Sequence, residues 1–479
     1  VKANETTLTM KKKKTKGKKK MGCLYSDALY LPKQINNLEI KKTWVESFTV
    51  PEIDCSSSEK RTLADEESIE SRFREEFENK NRPVVLRGLA KEWRAIEKWK
   101  TNDALLNEYG DETFLVGGYR TSLNNYLSYC LRENDTDDSK LLLFDPKVAK
   151  EEMWTENTEI FEEGGLFHNL FSKDGDYFKV LGEEKRPHYK WVIFGPNRSG
   201  STFHVDPNGT SAWNAVLRGR KKWILFPNDE VPPGVFPSED NASVVCPLTP
   251  LEWYENFYDT LLSCGNDDSE GEETSKRAYH FQETICEAGD VIFVPSQWWH
   301  CVVNLPPEHD DQDQDEEDRN VHLALTANFV SRSNMPTVLK ILDSKNSNLV
   351  SGYDDKTQRR SLGEAFEKRM REIYPEILED ARKQRARTTK KEIAPPRKQQ
   401  KRVGRLAKTT ENANNVTKKP RGENANENNT ENKISTATTI FSQHQQEQHT
   451  SSFAFSFWAK EEETNDTTTR ANTNNTNTF

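Results

Sequence analysis

The chain has no stretch approaching eighteen consecutive apolar residues, which leaves nothing long enough to cross a bilayer as a helix, and no membrane partner is expected. Its N-terminal lysines are followed by no apolar run, so no secretory signal is expected either. Cysteine is sparse and unpaired by spacing. The seven residues (Cys23, Cys55, Cys130, Cys246, Cys264, Cys286, Cys301) are odd in number, scattered and without a C-x-x-C pair. That excludes a disulfide framework and a zinc finger, and it points to a reducing compartment. Without secretion, sequons such as Asn208-Gly209-Thr210 carry no weight. Core-forming residues are also few, 33% apolar against 30% charged over 479 residues. The length could hold two or three average domains, but this composition reads as one sizeable folded core flanked by polar tails.

What the chain does have is charge separated along its length. Residues 11–20 carry eight lysines and no acid, and Arg382 to Arg421 carries fifteen Lys/Arg against two acids. Subtracting these blocks from the whole-chain charge of −10 leaves −31 for the rest. Basic arms on an acidic body suit nuclear import, or RNA or chromatin contact through the arms. The acidic body suits a basic, Lys/Arg-rich protein substrate better than nucleic acid. Solubilising tails are the plainer alternative for both arms.

The pattern along the chain divides it into five parts: a basic disordered tail over 1–42, an α/β part over 43–157, a strand-rich part over 158–345, a helical segment over 346–393, and a basic then Asn/Thr-rich disordered tail over 394–479. Ile69, Phe73 and Phe77 repeat every four residues and predict an amphipathic helix. Val84-Val85-Leu86, after Pro83, reads as a short strand, and Trp93 and Trp99 as a packed helix beyond it. Trp191–Phe194, Trp213–Leu217, Lys222–Phe226, Val291–Val294 and His322–Thr326 are short β-branched and aromatic runs broken by turn residues, the signature of an all-β barrel or jelly roll. Acidic inserts at 266–273 and 308–318 are expected as surface loops. Ser361 with Glu364 reads as a capping box opening a helix that carries Leu362, Phe366, Met370, Ile373 and Ile377, with Pro375 kinking or ending it. This C-terminal helix is the expected surface of a homodimer.

His204-Val205-Asp206 places two ligand types at i and i+2, which on a strand face the same way. An H-x-D alone is weak evidence in a chain with nine histidines. A third ligand, His300, is delivered 96 residues later by Gly289-Asp290, the apolar run Val291–Val294, and Trp298-Trp299. Two imidazoles and one carboxylate on one face of a metal leave three positions open, which non-haem iron needs for a bidentate cosubstrate and O2. Zinc prefers a tetrahedral site and would not use them. Trp298 and Trp299 are expected in barrel packing, Cys301 on the face opposite His300, and His168, His188 and His280 in structural or exposed positions. Ser199 and Ser201 have no general base in view, so nucleophilic catalysis is not supported.

The runs Arg186-Pro187-His188-Tyr189-Lys190-Trp191, Gly195-Pro196-Asn197-Arg198-Ser199-Gly200, His204-Val205-Asp206-Pro207 and Gly209-Thr210-Ser211-Ala212-Trp213-Asn214-Ala215 resemble the jumonji-C oxygenases. Within these they are most similar to the phosphatidylserine-receptor-like branch, known as bifunctional arginine demethylases and lysyl hydroxylases. Thr326 with Asn328-Phe329 resembles that branch's closing strand. The resemblance covers roughly residues 44–340 and is dense over 185–227 and 285–336. It implies a mainly β, double-stranded β-helix (cupin or jelly-roll) core with N-terminal α/β elements, and Fe(II) on His204, Asp206 and His300. It also implies 2-oxoglutarate held at its distal carboxylate by Lys221, with Asn214 and Thr326 contacting the cosubstrate or ordering the metal site. An ammonium inside a barrel needs an anionic partner to keep its proton, which agrees. Lys222, next along the strand, is expected to face outward. Ser296-Gln297 departs from the branch, which has two glycines there, and the acidic insert at 308–318 lengthens the connection to the closing strand. Both departures bear on substrate choice and leave the triad untouched.

The reaction implied is oxidative decarboxylation of 2-oxoglutarate with O2, coupled to hydroxylation of a lysine side chain. On an N-methyl group of arginine or lysine the same chemistry ends in demethylation. Two rivals of other kinds remain: a catalytically silent cupin-like module binding RNA or protein, and a zinc-bound cupin isomerase.

Overall fold

The computed structural model describes residues 39–56, 62–132, 140–146, 165–172, 176–239, 241–264, 279–307, 315–343, 348–353 and 356–393. The lysine block 11–20, the acidic insert at 266–273 and everything beyond Ile393 lie outside them. Contacts divide the chain after Arg385. Of the second unit, Ala386–Ser452, the described residues are the helical ones up to Ile393.

Fifteen strands occur among the described residues: β1 (Glu52–Asp54), β2 (Val84–Arg87), β3 (Thr113–Val116), β4 (Tyr119–Ser122), β5 (Leu143–Asp145), β6 (Lys190–Pro196), β7 (Gly200–His204), β8 (Ser211–Arg218), β9 (Arg220–Phe226), β10 (Phe236–Pro237), β11 (Val244–Val245), β12 (Gln282–Cys286), β13 (Val291–Val294), β14 (Trp299–Leu305) and β15 (Val321–Phe329). They form a nine-stranded sheet in the order β1-β2-β13-β8-β15-β6-β5-β3-β4, a four-stranded sheet in the order β12-β9-β14-β7, and the β10-β11 ribbon. From β6 to β9 and from β12 to β15, consecutive strands alternate between the two larger sheets. The eight strands β13-β8-β15-β6 and β12-β9-β14-β7 thus wind into the double-stranded β-helix that the strand runs and the resemblance imply.

Strand alternation gives each sheet two buried faces, because both sides are covered. Between the sheets, Ala212, Val216, Trp223, Leu225, Ile292 and Val302 belong to one interior cluster. Behind the larger sheet, Phe73, Phe77, Trp93, Trp99, Phe167 and Phe171 from N-terminal helices pack against the opposite faces of β8, β13 and β15. Behind the smaller sheet, Trp44, Trp253, Tyr254 and Tyr258 cover Ile224, Phe226 and Cys301. With both faces covered, β8 and β15 are buried at every position, which is why they read as near-continuous apolar runs.

Ile69, Phe73 and Phe77 do lie on one helical course, the helix Leu63–Arg72 continuing in a π-helical turn over Phe73–Glu78. Lys222 does turn away from the barrel interior, as alternation requires, but the segment around Ser47 and the Tyr258 helix cover that outer face. Lys222 is 1% exposed and pairs with the equally buried Glu283 at 2.8 Å. Two expectations need correction. Ser361 is not a helix cap, because the helix begins at Lys356 and its hydroxyl donates back to the Gln358 carbonyl. Nothing in Thr357–Arg360 breaks a helix, so it extends past the cap-like residue. The insert at 308–318 is not wholly a surface loop: Asp318 is buried at its end and accepts from the Asn102 backbone N–H at 2.6 Å. Pro375 does end one helix, at Ile373, and takes the first position of the next, Pro375–Ile393.

Candidate metal centre and cosubstrate pocket

β7 ends at His204, and Asp206 follows in an extended conformation (φ −63°, ψ 143°) at the mouth of a short 3-10 turn, Pro207–Gly209. The two side chains stay on one side although the strand has ended. β14 pairs with β7 so that His300 lies directly opposite His204, and the two rings sit with centroids 4.2 Å apart. Gly200 permits this pairing, since a Cβ there would overlap the Val302 carbonyl. One ligand atom from each of His204, Asp206 and His300 lies within 4.8 Å of the others. Residues 96 apart in sequence are thereby brought to one point.

The hydrogen bonds around the triad aim it. Nδ1 of His204 meets the Thr202 carbonyl at 2.8 Å, and Nδ1 of His300 meets the Trp298 carbonyl at 3.0 Å. A carbonyl only accepts, so each Nδ1 carries the proton and each Nε2 carries the lone pair. Asp206 accepts from the Asn328 amide at 3.4 Å through Oδ1, while its buried Oδ2 has no hydrogen-bond partner. Burial pushes both imidazoles down to about 4, helped at His204 by the neighbouring His300, and pushes Asp206 up to about 6. Two neutral imidazoles and an unsatisfied carboxylate oxygen form a donor set that a divalent cation fits.

Deeper in the barrel Lys221 is 3% exposed. It shares the face of Trp223 and Leu225, and its Nζ donates to the Asn304 side-chain oxygen at 2.8 Å. That acceptor is a neutral amide, and burial holds the Lys221 pKa down at about 7. Asn214 stands opposite Thr326 across β8 and β15. Its amide oxygen is buried without a hydrogen-bond partner, and the Thr326 hydroxyl donates to the Trp213 carbonyl at 2.6 Å. All six residues singled out in the sequence therefore lie on strands lining the barrel, or at the end of one. A buried ammonium needing negative charge and a carboxylate oxygen needing a cation suit a small, metal-chelating dicarboxylate.

Asn304 and Ser199 were missed as site residues. Asn304 is four residues after His300 on one strand, so alternation alone would have placed it inside. Of the histidines expected in structural or exposed positions, His280 is 80% exposed and bonded to Glu230, while His168 and His188 are half-buried. Trp298 and Trp299 pack on opposite sides of the smaller sheet, and Cys301 lies behind it.

The cupin-like domain family matches residues 70–335, and the chain belongs to that family, in its jumonji-C group. It is 38% identical to the arginine-specific demethylase JMJ22 of Arabidopsis thaliana over 360 residues, covering 75% of this chain and 61% of JMJ22. It is 29% identical to the bifunctional arginine demethylase and lysyl-hydroxylase psr-1 of Caenorhabditis elegans, over 70% of this chain and 73% of psr-1. It is also 29% identical to the 2-oxoglutarate and iron-dependent oxygenase JMJD4 of Gallus gallus, over 28% of each chain. The chain thus spans less than two-thirds of the length of JMJ22.

Proposed function

We propose that the chain is an Fe(II)- and 2-oxoglutarate-dependent oxygenase that hydroxylates lysine side chains in basic protein segments. The observation that carries this reading is the pairing of a one-face His-Asp-His donor set with a buried lysine deeper in the same barrel. His204, Asp206 and His300 would hold the iron, and Lys221 the distal carboxylate of 2-oxoglutarate, with Asn214 and Thr326 beside it. Bound iron would couple decarboxylation of 2-oxoglutarate to O2 cleavage, so that 2-oxoglutarate, O2 and a substrate C–H give succinate, CO2 and C–OH.

The chain's own residues supply orientation. The carbonyls of Thr202 and Trp298 keep both Nε2 atoms unprotonated, and Asn328 takes one carboxylate oxygen so that the other is left to bind. Trp223, stacked 6.0 Å from the His300 ring, and the apolar interior around it exclude water.

Demethylation of N-methylarginine is the second reading, favoured by the likeness to JMJ22. Hydroxylation of an N-methyl carbon gives a hemiaminal that releases formaldehyde. The basic stretches 11–20 and 382–421 support a nuclear enzyme whose arms contact RNA or chromatin. Protein purified without oxygen, loaded with Fe(II) and then supplied with O2 should form succinate from 2-oxoglutarate, with a +16 Da product on a lysine peptide for the first reading or formaldehyde from a methylarginine peptide for the second. Absence of any succinate would leave a silent binding module instead.

A further inference from the structure

Lys221 touches its surroundings through a chain of hydrogen bonds whose direction is fixed at every step. The Ser199 hydroxyl donates to the Pro196 carbonyl at 2.6 Å, so its oxygen is left to accept. The Asn304 amide nitrogen donates to that oxygen at 2.8 Å, with a longer approach to the Pro196 carbonyl at 3.4 Å. Both of its neighbours on that side accept, so the amide cannot be flipped, and its oxygen must point the other way, toward Lys221 Nζ at 2.8 Å. Asn304 is fully buried and lies directly opposite Lys221 in the β9/β14 register. Its backbone is pinned to the same turn, the Asn304 N–H donating to the Ser199 carbonyl and the Arg198 N–H to the Asn304 carbonyl. Gly195 leaves the room: a Cβ there would stand 2.5 Å from the Ser199 hydroxyl and 3.3 Å from the Asn304 amide nitrogen.

We propose that Asn304, with Ser199 behind it, is a positioning residue for the cosubstrate: it takes one N–H of Lys221 and leaves the other two to the distal carboxylate of 2-oxoglutarate. This rests on Lys221 being the cosubstrate anchor. An ammonium on a four-carbon stem is otherwise a mobile point charge, and holding it in advance removes part of the ordering cost of binding. A neutral acceptor suits the task. It fixes the lysine without supplying a negative charge that would compete with the incoming anion, as an aspartate would.

The test uses the full chain loaded with Fe(II), comparing wild type, Lys221→Ala, Asn304→Leu, Asn304→Asp and Ser199→Ala. KM for 2-oxoglutarate is read beside kcat, together with inhibition by N-oxalylglycine, which carries a distal carboxylate, and by oxalate, which does not. Asn304→Leu should raise KM and the N-oxalylglycine inhibition constant about tenfold, leaving oxalate inhibition and kcat within about twofold. Asn304→Asp should raise both constants further. Ser199→Ala, the mildest change, should raise them about threefold and decides the matter if the Asn304 variants do not fold. Equal weakening of N-oxalylglycine and oxalate would mean general loosening of the barrel and overturn the proposal. Unchanged constants in Asn304→Leu, or in Ser199→Ala if that alone folds, would overturn it while Lys221→Ala still weakens 2-oxoglutarate. Unchanged constants in Lys221→Ala would overturn the cosubstrate reading, and this proposal with it.

Discussion

An imidazole binds a metal through the ring nitrogen that lacks a proton, and in His204 and His300 backbone carbonyls make that choice. Replacing His204 or Asp206 by alanine should abolish 2-oxoglutarate turnover and leave the circular dichroism spectrum unchanged, because neither belongs to the hydrophobic clusters around the barrel. Full turnover in folded, iron-loaded His204→Ala would remove it from the donor set. Lys221 is the other decisive residue. A charge-assisted contact to a carboxylate contributes roughly 1.5–3 kcal/mol, so Lys221→Ala should weaken 2-oxoglutarate about tenfold to a hundredfold, with iron affinity nearly unchanged. Burial holds its pKa near 7, below the usual 10.5. The side chain is therefore charged below that pH and neutral above it, so cosubstrate affinity should fall as pH rises through about 7. Measured by titration calorimetry, that pH dependence should vanish in Lys221→Ala. Persistence there would assign the titration to another group.

At the scale of elements, β14 shows how one strand serves two layers. His300 and Asn304 face the barrel, while Cys301, Val303 and Leu305 fill the core behind the smaller sheet. β9 does the same with opposite charge logic: Lys221 faces a neutral amide inside, and Lys222 an anion outside. The Lys222–Glu283 pair also receives the Tyr258 hydroxyl, at 3.0 Å from both carboxylate oxygens, and Lys222 donates to the Ser47 carbonyl. It joins the smaller sheet to the helix and the N-terminal segment that cover it. Removing one member strands the other charge, so Lys222→Met should cost about 3–5 kcal/mol in denaturant unfolding. Lys222→Met with Glu283→Leu should recover much of that loss. A double variant as unstable as the single would show that the hydrogen bonds to Ser47 and Tyr258, not the stranded charge, set the cost.

For the whole molecule, charge is the property that reaches furthest. With the two basic blocks set aside, the rest of the chain carries −31, so attraction to a Lys/Arg-rich substrate should weaken as salt screens it, over a Debye length of about 8 Å at physiological ionic strength. KM for a basic peptide should rise with salt, and a preference for neutral or acidic peptides would defeat the substrate assignment. Tagged full-length protein should concentrate in the nucleus and become diffuse when 382–421 is deleted. A cytoplasmic full-length protein would defeat the localisation while leaving the iron site untouched.

Much of the architecture follows from local pattern. Val291–Val294 and Trp213–Leu217 are strands because β-branched and aromatic side chains suit a surface buried on both sides, with Gly289 turning the chain into the first and Gly219 turning it out of the second. His204 and Asp206 share a side because extended backbone alternates, and that survives even where the strand has ended. Tertiary structure alone decided which outward face is covered. Alternation turns Lys222 away from the barrel, but nothing local says that Ser47 and Tyr258 will close over it, or that a partner waits at Glu283. The same holds for Asp318, whose place in an acidic run suggests solvent until the Asn102 N–H meets it. The orientation of the Asn304 amide likewise depends on Ser199, 105 residues away in sequence. Alternation is a property of one strand and can be read from it. The burial of a charge depends on which distant segment supplies its partner, and that is fixed only when the sheets are assembled.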